Sequence, residues 1–342
     1  MTVRRLRVGV AGLGIGQAHL LAYVLDPDRF EVVAIADPDT GRRTRAAADW
    51  GVAAVASFEE LLDLDLDVID LCTPPGLHEP HCLAALAAGR HVVCEKPLVS
   101  SLDALARLES AEAAAPGRLM PIFQYRFAPG IARMKAVADA GLCGALRLAT
   151  SETSWLRGAD YYAAAWRGTV EGEGGGAVFG HGTHAHDLLS YVVGPLVNIT
   201  GQVATLVNDI ETEDTAAGFG AVAGGGLVSM AVTLGSIREI TRLRFSFEHV
   251  SAESSVEPYE PGNEPWTFDW SSPDLAAEAD RVWASMPSAP SGFSGQLAAF
   301  HRAVTDETEL PVTLTDARRA LELVTGWYQS AQTGRTVELP GT

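Results

Sequence analysis

The sequence lacks a long apolar segment, and this absence limits where the protein can reside. No apolar run in the 342 residues reaches the roughly 18–20 residues that cross a bilayer as a helix. The apolar stretch that begins at Val8 is interrupted by glycines, whereas a secretory signal peptide has an uninterrupted apolar core and a small-residue cleavage site. We therefore expect a cytoplasmic protein.

Cysteine is scarce, with four residues and no CxxC spacing. Cys72 and Cys94 stand in apolar, strand-like runs, where a reduced cysteine behaves as a small hydrophobic side chain. Because cytoplasmic thiols are kept reduced, the sequence predicts buried free thiols.

Positive charge is also in deficit, with 25 Lys and Arg against 43 Asp and Glu and a formal net charge of −18. This balance argues against nucleic acid or an anionic membrane as a partner. It leaves an anionic cofactor open, because helix N-termini and local lysines bind phosphates within an acidic protein. The remaining composition is that of a globular protein, and the length fits two domains.

The first third of the chain alternates short apolar runs with helical stretches rich in Ala and Leu. The strand candidates are 7–11, 31–36, 52–56, 67–72, 91–94 and 119–124, with helical stretches at 76–88 and 101–114 among them. Apolar strands alternating with helices predict an α/β fold with a doubly wound parallel sheet covered on both faces. We assign this domain to residues 1–125.

The pattern after about Gly141 is different, and β-like runs dominate. They cover 145–153, 197–207, 215–222, 227–234 and 242–248. The turn 223–226 predicts a hairpin between two of them. We therefore expect residues 126–342 to form an α+β domain with a large, open, mainly antiparallel sheet, which packs against a second copy in a homodimer or homotetramer. We interpret 251–290 as a long loop or lid and about 315–332 as a capped helix that packs on the body.

A glycine turn follows the first strand. Glycines at Gly12, Gly14 and Gly16, with Ile15 between them, allow a tight turn and close approach of the backbone to a pyrophosphate. The following helix would face the phosphates with its N-terminus. The spacing is GxGxG, one residue shorter than GxGxxG, and a plain turn is the alternative.

The second strand ends at Asp37, which can accept hydrogen bonds from the adenosine ribose hydroxyls. Its charge would repel a ribose phosphate, which favours NAD over NADP. Arg42 and Arg43 follow and leave NADP possible, although a solvated helix face also explains them.

The fourth and fifth strands run into Thr73-Pro74 and Glu95-Lys96-Pro97. Ligands of doubly wound sheets lie beyond the carboxyl ends of the strands, so we expect both segments to border the nicotinamide. Pro97 restricts the backbone, and a cis bond there would aim Lys96 into the cleft. A surface lysine in a turn is the alternative.

These segments and others resemble one family. The matching pieces are the turn 12–19, Thr73-Pro74-Pro75 with His78, 88–97, 125–129, 166–168, 174–176 leading to 182–187, and 213–215. In this order they resemble the glucose-fructose oxidoreductase/inositol dehydrogenase (Gfo/Idh/MocA) family over nearly the whole chain. The resemblance implies a Rossmann domain followed by an open-sheet domain, NAD(P) as cofactor, and sugars, inositols or related polyols as substrates.

The resemblance also implies site residues. Lys96 and His184 correspond to the family's residues at the reacting carbon, and Asp187 stands one helical turn after His184. The family often has an aspartate where this chain has Gly180, and His181 is a candidate for its hydrogen-bonding role.

Further residues of the matching segments are candidates for supporting or substrate-binding roles. They are Tyr125, Arg126, Trp166 and Arg167, while His78 and Glu95 join the cofactor-binding set. Core packing or a subunit contact explains Trp166 and Arg167 equally well, and an ion pair with an acid explains Arg126.

His184 suits a general base because imidazole titrates near neutrality. Lys96 as an ammonium can hydrogen-bond the developing alkoxide. The cluster His181, His184, His186 and Asp187 also permits a metal interpretation, but without HExxH or cysteine pairing we predict no metal.

The leading hypothesis is therefore an NAD-dependent dehydrogenase or reductase acting on CH–OH groups. Two alternatives stay open: an enzyme that retains NAD and uses transient oxidation for elimination or glycoside cleavage, and a non-catalytic NAD(P)-binding regulator. The sequence does not specify the substrate or the direction.

Overall fold

The computed structural model describes residues 4–340, which separate into two compact units. One unit comprises residues 4–124 and 290–318, and the other comprises 125–289 and 319–340. The return of residues 290–318 to the first unit has no counterpart in the division predicted from the sequence.

Strands and helices are numbered here in chain order. The strands are β1 (Leu6–Ala11), β2 (Phe30–Ala36), β3 (Ala53–Val55), β4 (Val68–Leu71), β5 (His91–Cys94), β6 (Leu119–Pro121), β7 (Leu146–Leu156), β8 (Leu196–Ala204), β9 (Thr215–Val222), β10 (Leu227–Thr233), β11 (Gly235–Phe247), β12 (Val250–Glu253), β13 (Thr267–Trp270) and β14 (Val337–Glu338). The α-helices are α1 (Gly16–Val24), α2 (Thr40–Trp50), α3 (Phe58–Leu62), α4 (His78–Ala87), α5 (Leu102–Ala114), α6 (Pro129–Asp139), α7 (Val170–Glu173), α8 (Thr183–Val193), α9 (Pro273–Ala284), α10 (Gly292–Thr305) and α11 (Leu314–Thr333). A π-helical turn, Ala177–His181, precedes α8.

The first unit is built on a parallel sheet in the order β3-β2-β1-β4-β5-β6. Its central strands are buried on both faces, and all four residues of β4 are inaccessible to solvent or nearly so. Such burial explains why these strands are continuous apolar runs rather than alternating ones. The order reverses between β1 and β4, so the predicted doubly wound parallel sheet is confirmed.

The returning segment joins the first unit at the edge of this sheet. Gln296 on α10 donates its side-chain N–H to the carbonyl of Pro121 at 2.9 Å and accepts from the backbone N–H of Phe123 at 3.1 Å. Gln296 is fully buried, and its amide therefore satisfies backbone groups that no further strand pairs.

The second unit is built on an eight-stranded sheet in the order β13-β12-β11-β7-β10-β9-β8-β14. Its described pairings are antiparallel except for β7 with β10, which is parallel. The pairing of β9 with β10 confirms the predicted hairpin, and the large, open, mainly antiparallel sheet is also confirmed.

Helix α11 covers one face of this sheet through Trp327, which is fully buried. A Cβ at Gly201 or Gly218 would lie 2.4 or 2.9 Å from the Trp327 ring. Glycine on these neighbouring strands is therefore what lets the indole approach the sheet closely. The helix was predicted at nearly these bounds, and Gly334 follows it with φ +66°.

The prediction of one long loop over 251–290 is wrong. This stretch contains the end of β12, all of β13 and helix α9. The Ser and Pro residues that suggested a loop begin the helix instead: Ser272 accepts a hydrogen bond from the backbone N–H of Leu275, and Pro273 occupies the first turn. Two smaller differences are that β6 ends at Pro121 and β8 at Ala204, earlier than predicted.

The four cysteines are buried and free, as predicted. Among the described residues, no helix combines the length and apolar character required to span a membrane.

Candidate active site

The glycine turn after β1 is required by the fold itself at Gly12. This residue has φ +91°, in the left-handed region that glycine favours, and its N–H donates to the carbonyl of Ala36 at 2.8 Å. A Cβ there would lie 2.4 Å from the carbonyl oxygen of Cys72. The contact at Gly16 is milder, since a Cβ built there would be 3.3 Å from the Cys72 Cβ.

Gly14 is different, because a Cβ built there meets nothing within 4 Å. The protein's own packing therefore gives no reason for glycine at this position, whereas a pyrophosphate lying against the turn would. Next to it, α1 begins without a side-chain cap and without an acidic residue in its first turn. This N-terminus suits an anion, and Ile15 is half-exposed beside it.

Asp37 lies just after β2 and is 3% exposed. Its Oδ2 accepts from the N–H of Leu13 at 2.9 Å and from the Arg42 guanidinium at 3.1 Å, and its Oδ1 accepts from the N–H of Asp39 at 2.9 Å. The carboxylate thus ties the glycine turn to the end of β2. Arg43 donates to the backbone carbonyl of Asp37 at 2.5 Å, so both arginines contact this residue.

His78 joins the two turns that follow β4 and β5. One ring nitrogen lies 2.7 Å from the carbonyl of Thr73 and the other 2.8 Å from the carbonyl of Pro97. The Thr73 hydroxyl is buried and has no hydrogen-bond partner among the described residues. A buried unpartnered hydroxyl is costly, so a ligand that bonds to Thr73, next to Pro74, fits this position.

The Lys96–Pro97 bond is cis, the geometry considered for it from the sequence. The backbone N–H of Lys96 donates to Oε2 of Glu95 at 3.0 Å, and Glu95 is 5% exposed. Burial alone would raise the pKa of Glu95, but the hydrogen bond and charge of His19, with the charge of Lys96, hold it below its usual value. Glu95 is therefore a buried carboxylate at the base of the Lys96 turn.

In the second unit, His184 lies in the first turn of α8 and is 5% exposed. Its ring stacks on Tyr125 at a centroid distance of 4.3 Å. One turn later, Asp187 accepts two hydrogen bonds from Arg126, at 2.8 and 2.6 Å. Both side chains are buried. Arg126 therefore forms the ion pair with an acid that was considered from the sequence as the alternative to a substrate-binding role. Its guanidinium also lies over the Tyr191 ring.

At Gly180, the position where the family resemblance implies an aspartate, a Cβ would meet nothing within 4 Å. His181 is buried and packs edge-on against Trp155, with Tyr161 also near its ring. His186 lies elsewhere, against Trp327, and burial lowers its pKa to about 4. It is a neutral core histidine.

Arg167 stacks on Trp166 and Tyr161, with its guanidinium 4.4 and 4.0 Å from the ring centroids. Its guanidinium also contacts the carboxylate of Glu173 at 3.4 Å. Trp166 is 38% exposed, so this pair presents an aromatic surface to solvent.

Sequence reasoning missed Glu213 as a support of the His184 segment. Its carboxylate accepts from the backbone N–H groups of Gly176 and Val178 at 3.1 and 3.0 Å and from the Tyr328 hydroxyl at 2.8 Å. The Glu213 carboxylate thus holds the start of the π-helical turn that leads into α8. The segment 213–215 was noted as part of the family resemblance, but only the fold shows which backbone N–H groups Glu213 binds.

Comparisons with known proteins cover both units. Residues 6–123 match a family model described as "Oxidoreductase family, NAD-binding Rossmann fold", and residues 131–253 match the GFO/IDH/MocA C-terminal domain. The solved WlbA dehydrogenase of Chromobacterium violaceum, in complex with NADH and UDP-GlcNAcA, has a TM-score of 0.88 and 27% identity, covering 99% of this chain and 97% of that one.

Two curated relatives match over shorter stretches. Inositol 2-dehydrogenase 4 of Saccharopolyspora erythraea is 37% identical over 148 residues, 42% of this chain and 44% of the relative. Levoglucosan dehydrogenase of Pseudarthrobacter phenanthrenivorans is 29% identical over 241 residues, 65% of this chain and 60% of the relative. The chain thus spans less than two thirds of the length of these curated relatives. With the models of both family domains matched in order along the chain, this protein belongs to the Gfo/Idh/MocA family of oxidoreductases.

Proposed function

We propose that this protein is an NAD-dependent oxidoreductase that transfers a hydride between the nicotinamide and a hydroxyl or carbonyl carbon of a sugar, an inositol or a related polyol. The observation that carries the proposal is a set of features in the first unit that suit a dinucleotide. They are open space at Gly14, a helix N-terminus with no side-chain cap and no acidic residue in its first turn, and the buried Thr73 hydroxyl without a hydrogen-bond partner among the described residues. The names of the relatives support the substrate class.

The residues of the first unit suit a bound dinucleotide. Gly12, Gly14, Ile15 and Gly16 would hold the pyrophosphate, with Asp37 at the adenosine ribose. The segments at Thr73-Pro74 and Glu95-Lys96, bridged by His78, would hold the nicotinamide end. The bound NAD supplies the hydride acceptor or donor. Its preference over NADP follows from the buried charge of Asp37, although Arg42 keeps NADP use possible.

The proton has to move separately from the hydride. We propose that His184 removes the proton from the substrate hydroxyl during oxidation and returns it during reduction. Lys96, as an ammonium, donates a hydrogen bond to the same oxygen as negative charge develops on it. Asp187 acts through Arg126 and the helix that carries His184, since its carboxylate is engaged by that guanidinium.

Substrate contacts come from the second unit in this proposal. Tyr125 stacks on His184, and His181 ends the π-helical turn just before the helix that carries His184. The exposed face of Trp166 with Arg167 offers a stacking surface for a sugar ring. Gly180 leaves room where the family resemblance implies a carboxylate, so His181 would supply the polar contact at that position.

We further propose that the enzyme is a homo-oligomer, formed through the face of the second sheet opposite Trp327. Register places Leu148 beside Leu227, and Phe219 lies in the next row; these three side chains are 42, 58 and 60% exposed. Exposed apolar side chains grouped on one face of a sheet are typical of an interface. Phe219→Asp should convert the oligomer to monomer in sedimentation experiments, and a wild-type monomer at micromolar concentration would contradict the proposal.

A cytoplasmic location stays a prediction of the sequence.

The function is tested by nicotinamide absorbance with purified protein, NAD or NADP, and a panel of inositols, aldoses and deoxy sugars. Accumulation of NADH with a member of the panel supports the dehydrogenase. NAD binding without net reduction, but with substrate breakdown, would support the NAD-retaining elimination chemistry instead. Binding without any conversion would favour a regulator.

A further inference from the structure

A buried chain of ionisable groups lies beneath the cofactor turn, and its central histidine has no role in the chemistry proposed above. His19, in the first turn of α1, is completely buried. Its Nδ1 lies 2.8 Å from Oδ2 of Asp70 on β4, and its Nε2 lies 3.1 Å from Oε1 of Glu95. One imidazole thus bridges two carboxylates.

With both carboxyl groups ionised, the geometry favours the imidazolium. A neutral imidazole has one N–H and one lone pair, so it can donate to only one of the two carboxylates and would face the other with its lone pair. An imidazolium donates to both. The flanking groups also act as acceptors elsewhere: Asp70 accepts from the Tyr23 hydroxyl at 2.8 Å, and Glu95 accepts from the backbone N–H of Lys96.

The groups that face His19 are consistent with a cation. On its own helix lies Tyr23; from the sheet come Asp70, the Cys72 thiol and Glu95; and α10 contributes the Phe293 ring, with a centroid distance of 4.3 Å. Burial alone would lower the pKa of His19, but the charge and hydrogen bond of Asp70 raise it well above its usual value. Burial raises the pKa of Cys72, so this group stays a neutral thiol.

The balance of charges connects these buried groups to Lys96 at the proposed active site. Asp70 and Glu95 contribute two negative charges, and His19 neutralises one of them. The charge of Lys96 also stabilises ionised Glu95, so with an ammonium at Lys96 the four charges cancel. Removing the positive charge of His19 would leave a buried carboxylate uncompensated, which is strongly unfavourable.

We propose that His19 is a positioning residue: as a permanent buried imidazolium it fixes Glu95 and, through Glu95, the turn that carries Lys96. The link joins the glycine turn, which β1 and α1 build, to the Lys96 turn after β5. The effect on turnover rests on the proposed function, whereas the charge of His19 does not.

The charge is tested on the wild-type protein by NMR of ¹⁵N-labelled histidine. At about pH 8.5 an ordinary histidine is only about 1% protonated. We expect imidazolium nitrogen shifts at this pH that vanish in His19→Gln. His78 also lies between two acceptors, but these are uncharged carbonyls, and burial lowers its pKa. The matched control is His301→Gln, a buried histidine of the same unit that bonds to the carbonyl of Arg4; it should leave the signal in place. If no imidazolium signal at this pH is lost in His19→Gln, the proposal is overturned.

The positioning role is tested by kinetics. His19→Gln should lower kcat by about 10- to 100-fold, while the Kd for NAD changes much less and His301→Gln leaves both unchanged. Since both substitutions break one link, His19→Gln with Glu95→Gln should lose no more than the worse single variant. Unchanged kcat in His19→Gln, or losses that multiply in the double variant, would refute the role.

Two further outcomes stay informative. If His19→Gln does not fold, Tyr23→Phe removes one bond to Asp70 and identifies the His19 signal by shifting it, so the NMR arm still decides. If the wild type converts no substrate, the proposed function fails, while the NMR result supports or overturns the imidazolium by itself.

Discussion

Replacing Asp37 with serine should change which nicotinamide cofactor the protein uses. The buried carboxylate bonds to the N–H groups of Leu13 and Asp39 and pairs with Arg42 at 3.1 Å. A ribose phosphate that took the place of the ribose hydroxyl would bring its negative charge close to this carboxylate. Serine removes the repulsion and releases Arg42 to pair with the phosphate.

The size of the effect follows from Coulomb's law. Two unit charges about 4 Å apart interact by about 1 kcal/mol in water and about 4 kcal/mol at the effective dielectric constant of a protein surface. The half-exposed Arg42 already offsets part of the Asp37 charge. We therefore take about 2–4 kcal/mol for a doubly charged phosphate, which corresponds to about 30- to 1000-fold in the ratio of kcat/KM for NADP to that for NAD.

The assay is nicotinamide absorbance with each cofactor and a single substrate. Both absolute rates should fall in Asp37→Ser, because the bonds to the turn are lost, and the ratio isolates the charge. Arg42→Gln is the matched control and should not favour NADP. Combined with Asp37→Ser it should reduce the gain. A ratio in Asp37→Ser within about threefold of wild type, well below the range that Coulomb's law gives, would refute the reasoning.

Four other substitutions test the fold and the site. Gly12→Ala, at φ +91° and facing backbone at 2.4 Å, should lower stability by about 2 kcal/mol or more; Gly14→Ala should keep its melting temperature but bind NAD more weakly in a fluorescence titration, and equal effects would contradict the distinction. His186 is protonated near pH 6.5 in the unfolded chain, whereas its pKa in the folded protein is about 4. The free energy of unfolding should therefore fall by up to about 3 kcal/mol as the pH is lowered from about 6.5 to about 4. In urea titrations His186→Gln should show a shallower fall over the same pH range. Asp187→Asn leaves the buried Arg126 guanidinium without its ionised partner, and an unfolding midpoint unchanged from wild type would contradict the expected loss of about 3–5 kcal/mol.

Local patterns were enough to predict the first unit's sheet and its glycine turn. The apolar strand before Gly12 and the helix after it are formed by residues close together in sequence, and the spacing of apolar residues predicts such elements. The return of α10 was not predictable in this way, because the bonds of Gln296 to Pro121 and Phe123 join residues far apart in the chain.

Composition misled the prediction where polar residues begin elements. Ser272 and Pro273 were interpreted as part of a loop, but they cap α9, whose packing against the body comes from Ala279 and Trp283 on the following turns. A short amphipathic helix within a Pro- and Ser-rich stretch gives too weak a periodic signal to stand out.

The residues of the candidate site were predictable from motifs, whereas the residues that hold them in place were not. Lys96 and His184 were singled out from motifs, and their roles stay proposals. The bonds of Glu213 to the segment before α8, and of His19 to two carboxylates, depend on which backbone and side-chain atoms meet in three dimensions. A histidine after a glycine turn carries no sequence signal of its charge.

The measurement that tests the central claim most directly compares NADH formation and NAD binding in the wild type and in Lys96→Met. The account predicts that the wild type reduces NAD with a cyclitol or sugar. Lys96→Met should lose turnover by at least about 100-fold, in the range of removing one transition-state hydrogen-bond donor, while still binding NAD. Near-normal turnover in Lys96→Met, or a wild type that binds NAD but reduces none with any member of the panel, would contradict it.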